Sequence, residues 1–296
     1  MYVVTTLIDK QLFKTILVPV DGSHSCLHAQ MFAVSIAKKF NSKVTVVHVA
    51  SHEFMHPELK AQYQLPHSIL HKIDEAYLQA GKKIVRNAED LFREAGIPVD
   101  VKLVAHEDPA EFILELTKDA ECNLVVIGNR AENQSEHYSL GSVTEKVARH
   151  AECPVLIVKE KLNVGKILTA VDGSTHADKA LEYAVQLARN YRADLALVHV
   201  EEDKLISIGG PQVVDCIGTV GECILKDASS KVQGVTFKPM LKYGSPAEVL
   251  IKLASKADVD LIVVGSRGLS SVRRFLLGSV SDDISMHARN SVLIVR

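Results

Sequence analysis

Short apolar runs alternate with longer segments of helical period along the whole chain. In the first half, β-branched and apolar runs predict strands near 14–20, 43–50, 99–105, 123–128 and 154–159. Apolar residues spaced three and four apart predict helices near 25–41, 69–95, 109–119 and 142–151. Residues 124–127 are apolar at every position, which is typical of parallel strands covered by helices on both faces.

The second half has the same order of elements. Its apolar runs predict strands near 166–171, 193–200, 235–242, 260–265 and 291–295. Its segments of helical period predict helices near 175–191, 213–231, 246–257 and 279–289. The predicted fold class is therefore α/β, with two tandem Rossmann-like domains, each a five-stranded parallel sheet with helices on both faces.

The two halves also match residue by residue. The sequence ILVPVDGS at 16–23 recurs as ILTAVDGS at 167–174, which is 151 residues later. The sequence LGSV at 140–143 recurs at 277–280, which is 137 residues later. The smaller offset means that the first copy holds 14 extra residues, which lie between His48 and Asp108. A short polar connector at 160–166 separates the copies, and we predict domains at 1–160 and 161–296.

Composition narrows the classes of function. The chain of 296 residues has 34 Lys and Arg against 36 Asp and Glu, a net charge of -2, so no basic field favours DNA as a partner. No run of 18 apolar residues and no basic leader occur, so we expect no membrane span and no secretion signal. Five cysteines without a CxxC pair argue against a disulfide framework or a zinc site and favour a cytoplasmic location.

Two aspartates follow the first strand of each copy. Ligands of open parallel sheets bind at the carboxyl ends of the strands, where the strand order reverses. Asp21 and Asp172 lie at that place in the sequence, within the turn Asp-Gly-Ser. Two interpretations are open: the carboxylate caps the following turn, or it accepts hydrogen bonds from a ligand base or ribose.

A glycine-rich segment follows the fourth strand of the second copy. It contains Gly265 and Gly268, then nine residues, then Gly278 and Ser279 at the start of a predicted helix. Glycine lets the backbone approach a ligand closely, and the amide groups at a helix N-terminus are unpaired donors for an anion. Ser279 adds a hydroxyl group, so this segment predicts a phosphate-binding site.

The G-2x-G-9x-G-S spacing resembles that of the ATP-binding members of the universal stress protein (UspA) superfamily, and the resemblance extends over both halves. It implies adenine and ribose contacts at Ala170, Val171, Asp172 and Val200. It implies ribose and α-phosphate contacts at Val264, Gly265 and Gly268, with Arg267 in the same nucleotide-binding set. It implies outer-phosphate contacts at Gly278, Ser279 and Val280. The expected cofactor is ATP with Mg²⁺, in a stress-response module with little or no turnover.

The first copy departs from this spacing. Ala131 replaces the second glycine, and if that position needs a positive φ, alanine costs about 1 kcal/mol. Its nine-residue loop carries Glu132 and Glu136, whereas the loop of the second copy carries Arg273 and Arg274. We therefore predict a weaker nucleotide site in the first copy, at Pro19, Val20, Asp21, Val49, Ile127, Gly128, Arg130, Gly141, Ser142 and Val143.

Two other functions stay open: a slow ATP-hydrolysing or adenylyl-transferring enzyme, and an interaction protein that does not bind nucleotide. Walker, dinucleotide-binding and nucleophile-elbow sequences do not occur, and we identify no catalytic residue. His48 and His199 end buried strands and are interpreted as structural. The pairs His52/His56 and His67/His71 each have the i,i+4 spacing that can place two imidazoles on one helix face, where they could bind a metal ion. Pro57 and Pro66 interrupt the helical pattern, which weakens this indication. We predict no metal site built from side chains.

The last strand of each copy bears on assembly. Residues 155–158 and 292–295 are apolar and would otherwise form exposed sheet edges. Related proteins pair these strands across a two-fold axis. We therefore predict that they pair within the chain and form an intramolecular pseudo-dimer, while a further homodimer stays open.

Overall fold

The computed structural model describes residues 12–50, 67–105, 107–119, 121–129, 140–202, 218–268 and 277–296. The first domain contains strands β1 (Thr15–Pro19), β2 (Lys43–Ala50), β3 (Val99–Ala105), β4 (Leu124–Gly128) and β5 (Val155–Val158). Its helices are α1 (His24–Phe40), α2 (His67–Glu94), α3 (Pro109–Thr117) and α4 (Ser142–His150). Every strand and helix predicted for this half is confirmed, with ends that differ by at most about two residues.

The second domain repeats this order. Its strands are β6 (Lys166–Ala170), β7 (Asp194–Glu201), β8 (Phe237–Tyr243), β9 (Leu261–Gly265) and β10 (Ser291–Val295). Its helices are α5 (Thr175–Tyr191), α6 (218–230), α7 (Pro246–Lys256) and α8 (Ser279–His287). The predicted helix at 213–231 is seen only as α6, because residues 213–217 lie outside the described part of the chain.

The ten strands form one continuous sheet in the order β3-β2-β1-β4-β5-β10-β9-β6-β7-β8. Neighbouring strands within each domain are parallel, as predicted. The two domains meet where β5 and β10 pair antiparallel, with Leu156 opposite Leu293. The predicted pairing of the last strands within the chain is therefore confirmed.

The helices cover both faces of this sheet. One core layer contains buried residues of α1, α2, α5 and α6, and the other contains buried residues of α3, α4, α7 and α8. Strands β4, β5, β9 and β10 lie between these layers and are buried along almost their whole length. Each layer continues across the junction of the two domains, so the cores are not separated by solvent.

Local capping explains where several helices begin. Ser23 and Ser174 are the N-caps of α1 and α5, and each hydroxyl accepts a hydrogen bond of 3.1 Å from an amide three residues later. Asp108 caps α3 in the same way, followed by proline at the first helical position. Ser245 is the N-cap of α7 and is likewise followed by proline, although no side-chain capping bond forms there among the described residues.

Side chains on both sides of the sheet join the domains. The fully buried ring of Phe13 makes edge-on contacts with Phe40 and, across the junction, with Tyr183 at 5.3 Å between centroids. On another part of the junction, the Arg149 guanidinium donates two hydrogen bonds of 3.0 Å to the Asp282 carboxylate. The junction therefore combines an apolar contact with a bidentate ion pair.

Two cations make equivalent contacts in opposite directions. The buried Lys159 ammonium donates to the carbonyl oxygens of Ser285 and Ala288, at the end of α8 in the other domain. Arg296, which lies 137 residues after Lys159, donates to the Ala148 carbonyl near the end of α4. Each cation lies at the negative end of a helix dipole, so each domain stabilises a helix end of the other.

Replacing Phe13 by alanine should weaken both domains. Loss of this buried ring is expected to lower the free energy of unfolding by about 3–5 kcal/mol. Because Tyr183 loses a ring contact, amide hydrogen exchange in α5 should also accelerate. The matched control is Phe92→Ala, which removes a fully buried ring from α2, a helix that packs on β2 and β3. Equal exchange in α5 for the two variants would contradict a stabilising contact across the junction.

Candidate functional site

The candidate site of the second domain lies where β6 and β9 run side by side. The strand order reverses between these two strands, because β7 and β8 continue on one side and β10 on the other. Their carboxyl ends, Ala170 and Gly265, therefore open into the same crevice. The first domain has an equivalent crevice between β1 and β4. The sheet topology thus brings together the two clusters that the sequence predicted separately.

The aspartate after the first strand has a turn role in both domains. Asp172 Oδ1 accepts a hydrogen bond of 2.9 Å from the Ser174 amide, and Asp21 makes the same bond with Ser23. The intervening glycine of each turn has a φ near +80°, a conformation that glycine adopts readily. The turn interpretation is confirmed, and it uses only one oxygen of each carboxylate.

The second oxygen of Asp172 faces the glycine-rich segment. A Cβ atom built on Gly268 would lie 2.7 Å from Asp172 Oδ2, so the segment packs directly against this carboxylate. Asp172 is half-buried, whereas its counterpart Asp21 is exposed. The second domain therefore holds its carboxylate inside the crevice, with one oxygen fixed by the turn.

The glycines of this segment are needed for packing within the chain. A Cβ on Gly265 would lie 2.7 Å from the carbonyl carbon of His176, at the start of α5. Neither Gly265 nor Gly268 has a positive φ. Gly268 is the counterpart of Ala131, and its backbone would not disfavour alanine. An alanine at Gly268 would instead place its Cβ too close to Asp172 Oδ2. Ala131 itself lies outside the described residues.

The start of α8 provides unpaired amide groups. Gly278 is the N-cap, its amide donates to the Ser266 carbonyl at 2.8 Å, and no described side chain caps the helix. The Ser281 hydroxyl donates to the carbonyls of Ser266 and Gly278. The first-turn amides, those of Ser279, Val280 and Ser281, have no acceptor within the helix. The N-terminus of α8 thus presents several donors and the positive end of its dipole.

The crevice of the first domain has different side-chain contacts from that of the second. Helix α4 also begins at an uncapped glycine, Gly141, whose amide donates to the Asn129 carbonyl at 2.8 Å. In the crevice, however, the Ser25 hydroxyl donates to Asn129 Oδ1 at 2.8 Å. A Cβ on Gly128 would lie 2.5 Å from Ser25 Oγ, so strand and helix approach closely here. A side-chain contact thus occupies part of the crevice of the first domain.

The histidines at the strand ends have structural roles, as predicted. His199 Nδ1 hydrogen-bonds the Val171 carbonyl at 2.7 Å, and its Nε2 lies 3.1 Å from Glu201 Oε1. His48 makes the equivalent bond to the Val20 carbonyl at 2.6 Å. Each imidazole therefore holds the backbone between the first strand and the following turn.

His176 is a residue near the site that the sequence analysis did not single out. It is half-buried in the first turn of α5, and burial lowers its pKa, with further lowering by the positive charges of Arg267 and Lys179. The Asp172 carboxylate opposes this shift of the His176 pKa. The repeat offered a signal, because the equivalent residue in the first copy is Ser25.

The other predicted residues lie around these crevices. In the second domain, Val171 and Val264 are buried, Ala170, Val200, Arg267 and Val280 are half-buried, and Ser279 is exposed. In the first domain, Val20, Val49, Ile127 and Gly141 are buried, Pro19, Gly128 and Val143 are half-buried, and Ser142 is exposed. The following residues named in the sequence analysis lie outside the described part of the chain: Arg130, Ala131, Glu132, Glu136, Arg273, Arg274, His52, His56, Pro57 and Pro66.

The described residues show neither a cluster of metal-ligating side chains nor a membrane-spanning helix. Within the described ranges, no group of three or more His, Cys, Asp or Glu side chains is arranged to hold a metal ion. The helices in those ranges include none with the length and apolar character needed to cross a bilayer. The side chain of His71 lies 3.7 Å from Glu75, in an exposed i,i+4 pair.

Comparisons with known proteins agree with this architecture. A family model described as the universal stress protein family matches residues 12–159 and 163–296. A universal stress protein of Mycobacterium tuberculosis is 27% identical over 301 residues, which cover 95% of this chain and 96% of that protein. Universal stress protein YxiE of Bacillus subtilis is 34% identical over 145 residues, 44% of this chain and 98% of that protein.

A solved structure supports the fold over the full length. The universal stress protein from Archaeoglobus fulgidus superposes with a TM-score of 0.70 at 22% identity, covering 95% of this chain and 98% of that chain. Two matches to one family model, over two equivalent domains, lead to a single assignment. The chain belongs to the universal stress protein family and contains two tandem domains of that family.

Proposed function

We propose that the second domain binds an adenine nucleotide, ATP with Mg²⁺, and that the chain is a nucleotide-dependent regulatory module rather than an enzyme. One observation carries this proposal: the Asp172 carboxylate, the glycine-rich segment and the uncapped start of α8 meet at the reversal point of one parallel sheet. This is the position at which α/β sheets of this kind bind their ligands.

The residues present fit the chemistry of ATP. First-turn amides of α8 are suitable donors for phosphate oxygens, and the helix dipole favours a polyanion. Asp172 Oδ2 is a suitable acceptor for ribose hydroxyl groups, since Oδ1 already holds the turn. The apolar strand ends Ala170, Val171 and Val200 would contact adenine. The phosphates of bound ATP would accept hydrogen bonds from the first-turn amides of α8 and would hold the Mg²⁺ ion.

Local charge supports an anionic ligand. The positive charges of Arg267, Lys179 and Arg296 all act on His176, the residue whose backbone packs against Gly265. At the sequence level, the segment that follows Gly268 adds two arginines and no acid. A single charge about 8 Å from a phosphate is worth about 2 kcal/mol at an effective dielectric constant near 20. Several such charges favour nucleotide binding in this domain.

The first domain is the weaker candidate for three reasons. Its aspartate is exposed, so Asp21 is screened by water more than Asp172 is. The Ser25–Asn129 hydrogen bond satisfies groups that a ligand would otherwise contact. Its loop carries two glutamates where the second domain has two arginines. We therefore propose that nucleotide affinity resides mainly in the second domain.

The substitution Gly278→Asp tests this site. Gly278 has φ -68° and ψ 150°, which any residue adopts, and aspartate is a favourable N-cap. A Cβ there would lie 3.3 Å from Arg267 Cα, so the chain must shift by a few tenths of an ångström in any such variant. The new carboxylate would take up first-turn amides and repel phosphate. A repulsion of about 2 kcal/mol corresponds to a loss of about 30-fold in affinity. Calorimetric titration of ATP with Mg²⁺ into wild type and variant measures this loss.

Two matched variants complete that experiment. Gly141→Asp makes the same change in the first domain and should lower affinity less than about 3-fold. Gly278→Asn keeps the shape without the charge and should fall between wild type and Gly278→Asp. Circular dichroism checks that each variant folds. Equal losses from Gly278→Asp and Gly141→Asp would mean that the two sites are equivalent, and a larger loss from Gly141→Asp would reverse the assignment.

Turnover of ATP should be very slow. Asp172 Oδ1 is engaged in the turn, and the described residues contain no acidic cluster that could position a metal ion. We expect a multiple-turnover rate well below about 1 s⁻¹, the lower end of ordinary enzymes. Release of labelled phosphate from ATP measures this rate. A rate above about 1 s⁻¹ would contradict the binding-module proposal. Loss of that activity in His176→Ala, with ATP affinity unchanged, would assign the reaction to the crevice of the second domain.

A further inference from the structure

Two cysteines meet at the edge of the first domain opposite to its crevice. Cys122 precedes β4 and Cys153 precedes β5, and these two strands are parallel neighbours. Their Sγ atoms lie 3.5 Å apart although the residues are 31 positions apart in sequence. Both are free thiols. A disulfide bond has a length of about 2.0 Å, so a movement of about 1.5 Å would bring the sulfurs into bonding distance.

The second domain joins the same two loops in another way. The residues equivalent to Cys122 and Cys153, at an offset of 137, are Val259 and Asn290. Asn290 Nδ2 donates a hydrogen bond to the Val259 carbonyl at 2.5 Å. The fold therefore brings these two positions together in both domains. In the first domain the pair consists of two oxidisable groups, and in the second it is inert to oxidation.

The two thiols differ in solvent exposure and in pKa. Cys122 is half-buried and Cys153 is buried, so solvent reaches Cys122 more readily. The hydrogen bond from Cys153 lowers the pKa of Cys122, while the same bond and burial raise the pKa of Cys153. The thiolate is the reactive form of cysteine. Cys122 is thus suited to react first and Cys153 to react second.

The other described cysteines lack this arrangement. Cys26 is buried, its pKa is raised to about 11 chiefly by burial, and its Sγ is hydrogen-bonded by Gln30. Cys223 is exposed in α6, and no described thiol is paired with it. Cys216 lies outside the described residues.

We propose that Cys122 and Cys153 form an oxidisable dithiol that hydrogen peroxide converts to a disulfide. The Cys122 thiolate attacks one peroxide oxygen, the O–O bond breaks, and Cys122 becomes a sulfenic acid while hydroxide leaves and is protonated to water. Cys153 Sγ then attacks the Cys122 sulfur, and the S–O bond breaks as the S–S bond forms. The Cys153 proton leaves with the hydroxyl group as water. Two thiols are oxidised by two electrons, and one hydrogen peroxide is reduced to two waters.

Hydrogen peroxide added to the reduced, full-length protein tests this proposal. Remaining thiols are alkylated after denaturation, and peptide masses locate the oxidised residues. We expect one disulfide between Cys122 and Cys153, with a mass decrease of about 2 Da, and its reversal by a dithiol reductant. Cys122 should react at least about 10-fold faster than exposed Cys223, because Cys122 has a hydrogen-bonded thiolate form.

Three variants separate the steps. Cys153→Ser should stop at a sulfenic acid on Cys122, which a dimedone probe captures. Cys122→Ser should leave Cys153 reduced at the same peroxide dose. The double variant Cys122→Val with Cys153→Asn copies the pair of the second domain, so it should fold and consume no peroxide at these positions.

Several results would overturn the proposal. They are a disulfide with any other partner, reaction of Cys223 as fast as that of Cys122, or over-oxidation of Cys122 without a disulfide. The peptide map of the wild-type protein decides between these results even if a variant does not fold. Nucleotide affinity is not part of this experiment, so its outcome is independent of the function proposed for the second domain.

Discussion

The antiparallel pairing of β5 with β10 is the constraint on which the arrangement of the molecule depends. Both strands are apolar and buried, so an unpaired edge at either one would expose main-chain donors and acceptors. Pairing them satisfies these groups and fuses two five-stranded sheets into one. Because the pairing is antiparallel, the carboxyl edge of one sheet lies on the same side as the amino edge of the other. The crevice of the second domain and the loops carrying Cys122 and Cys153 therefore share one side of the molecule.

Equivalent residues stabilise this junction from both directions. Lys159 and Arg296 each reach the carbonyl end of a helix in the opposite domain.

The position of Arg296 also affects the thiol of Cys153. The register of β5 and β10 brings Arg296 beside Cys153, and its positive charge partly opposes the rise in the Cys153 pKa. Burial lowers the pKa of Arg296 itself to about 10.

The two domains differ at positions that the repeat makes directly comparable. Ser25 and Asn129 are hydrogen-bonded across the crevice of the first domain, where the second domain has His176 and Ser266. At the opposite edge, the two thiols of the first domain correspond to the Val259–Asn290 pair. One backbone arrangement thus supports two sets of side chains: those of the second-domain crevice, for which we propose nucleotide binding, and the dithiol of the first domain.

The sequence by itself determined the elements, the repeat and the fold class, because apolar periodicity and capping are local properties of the chain. It also located Asp172 and the glycine-rich segment at strand ends. Tertiary structure alone decided that Gly265 and Gly268 are required by contacts with His176 and Asp172, rather than by a positive φ. It also decided that Cys122 and Cys153 meet, since no local spacing records a contact between residues 31 positions apart. Such contacts arise only when parallel strands place distant loops at one edge of the sheet.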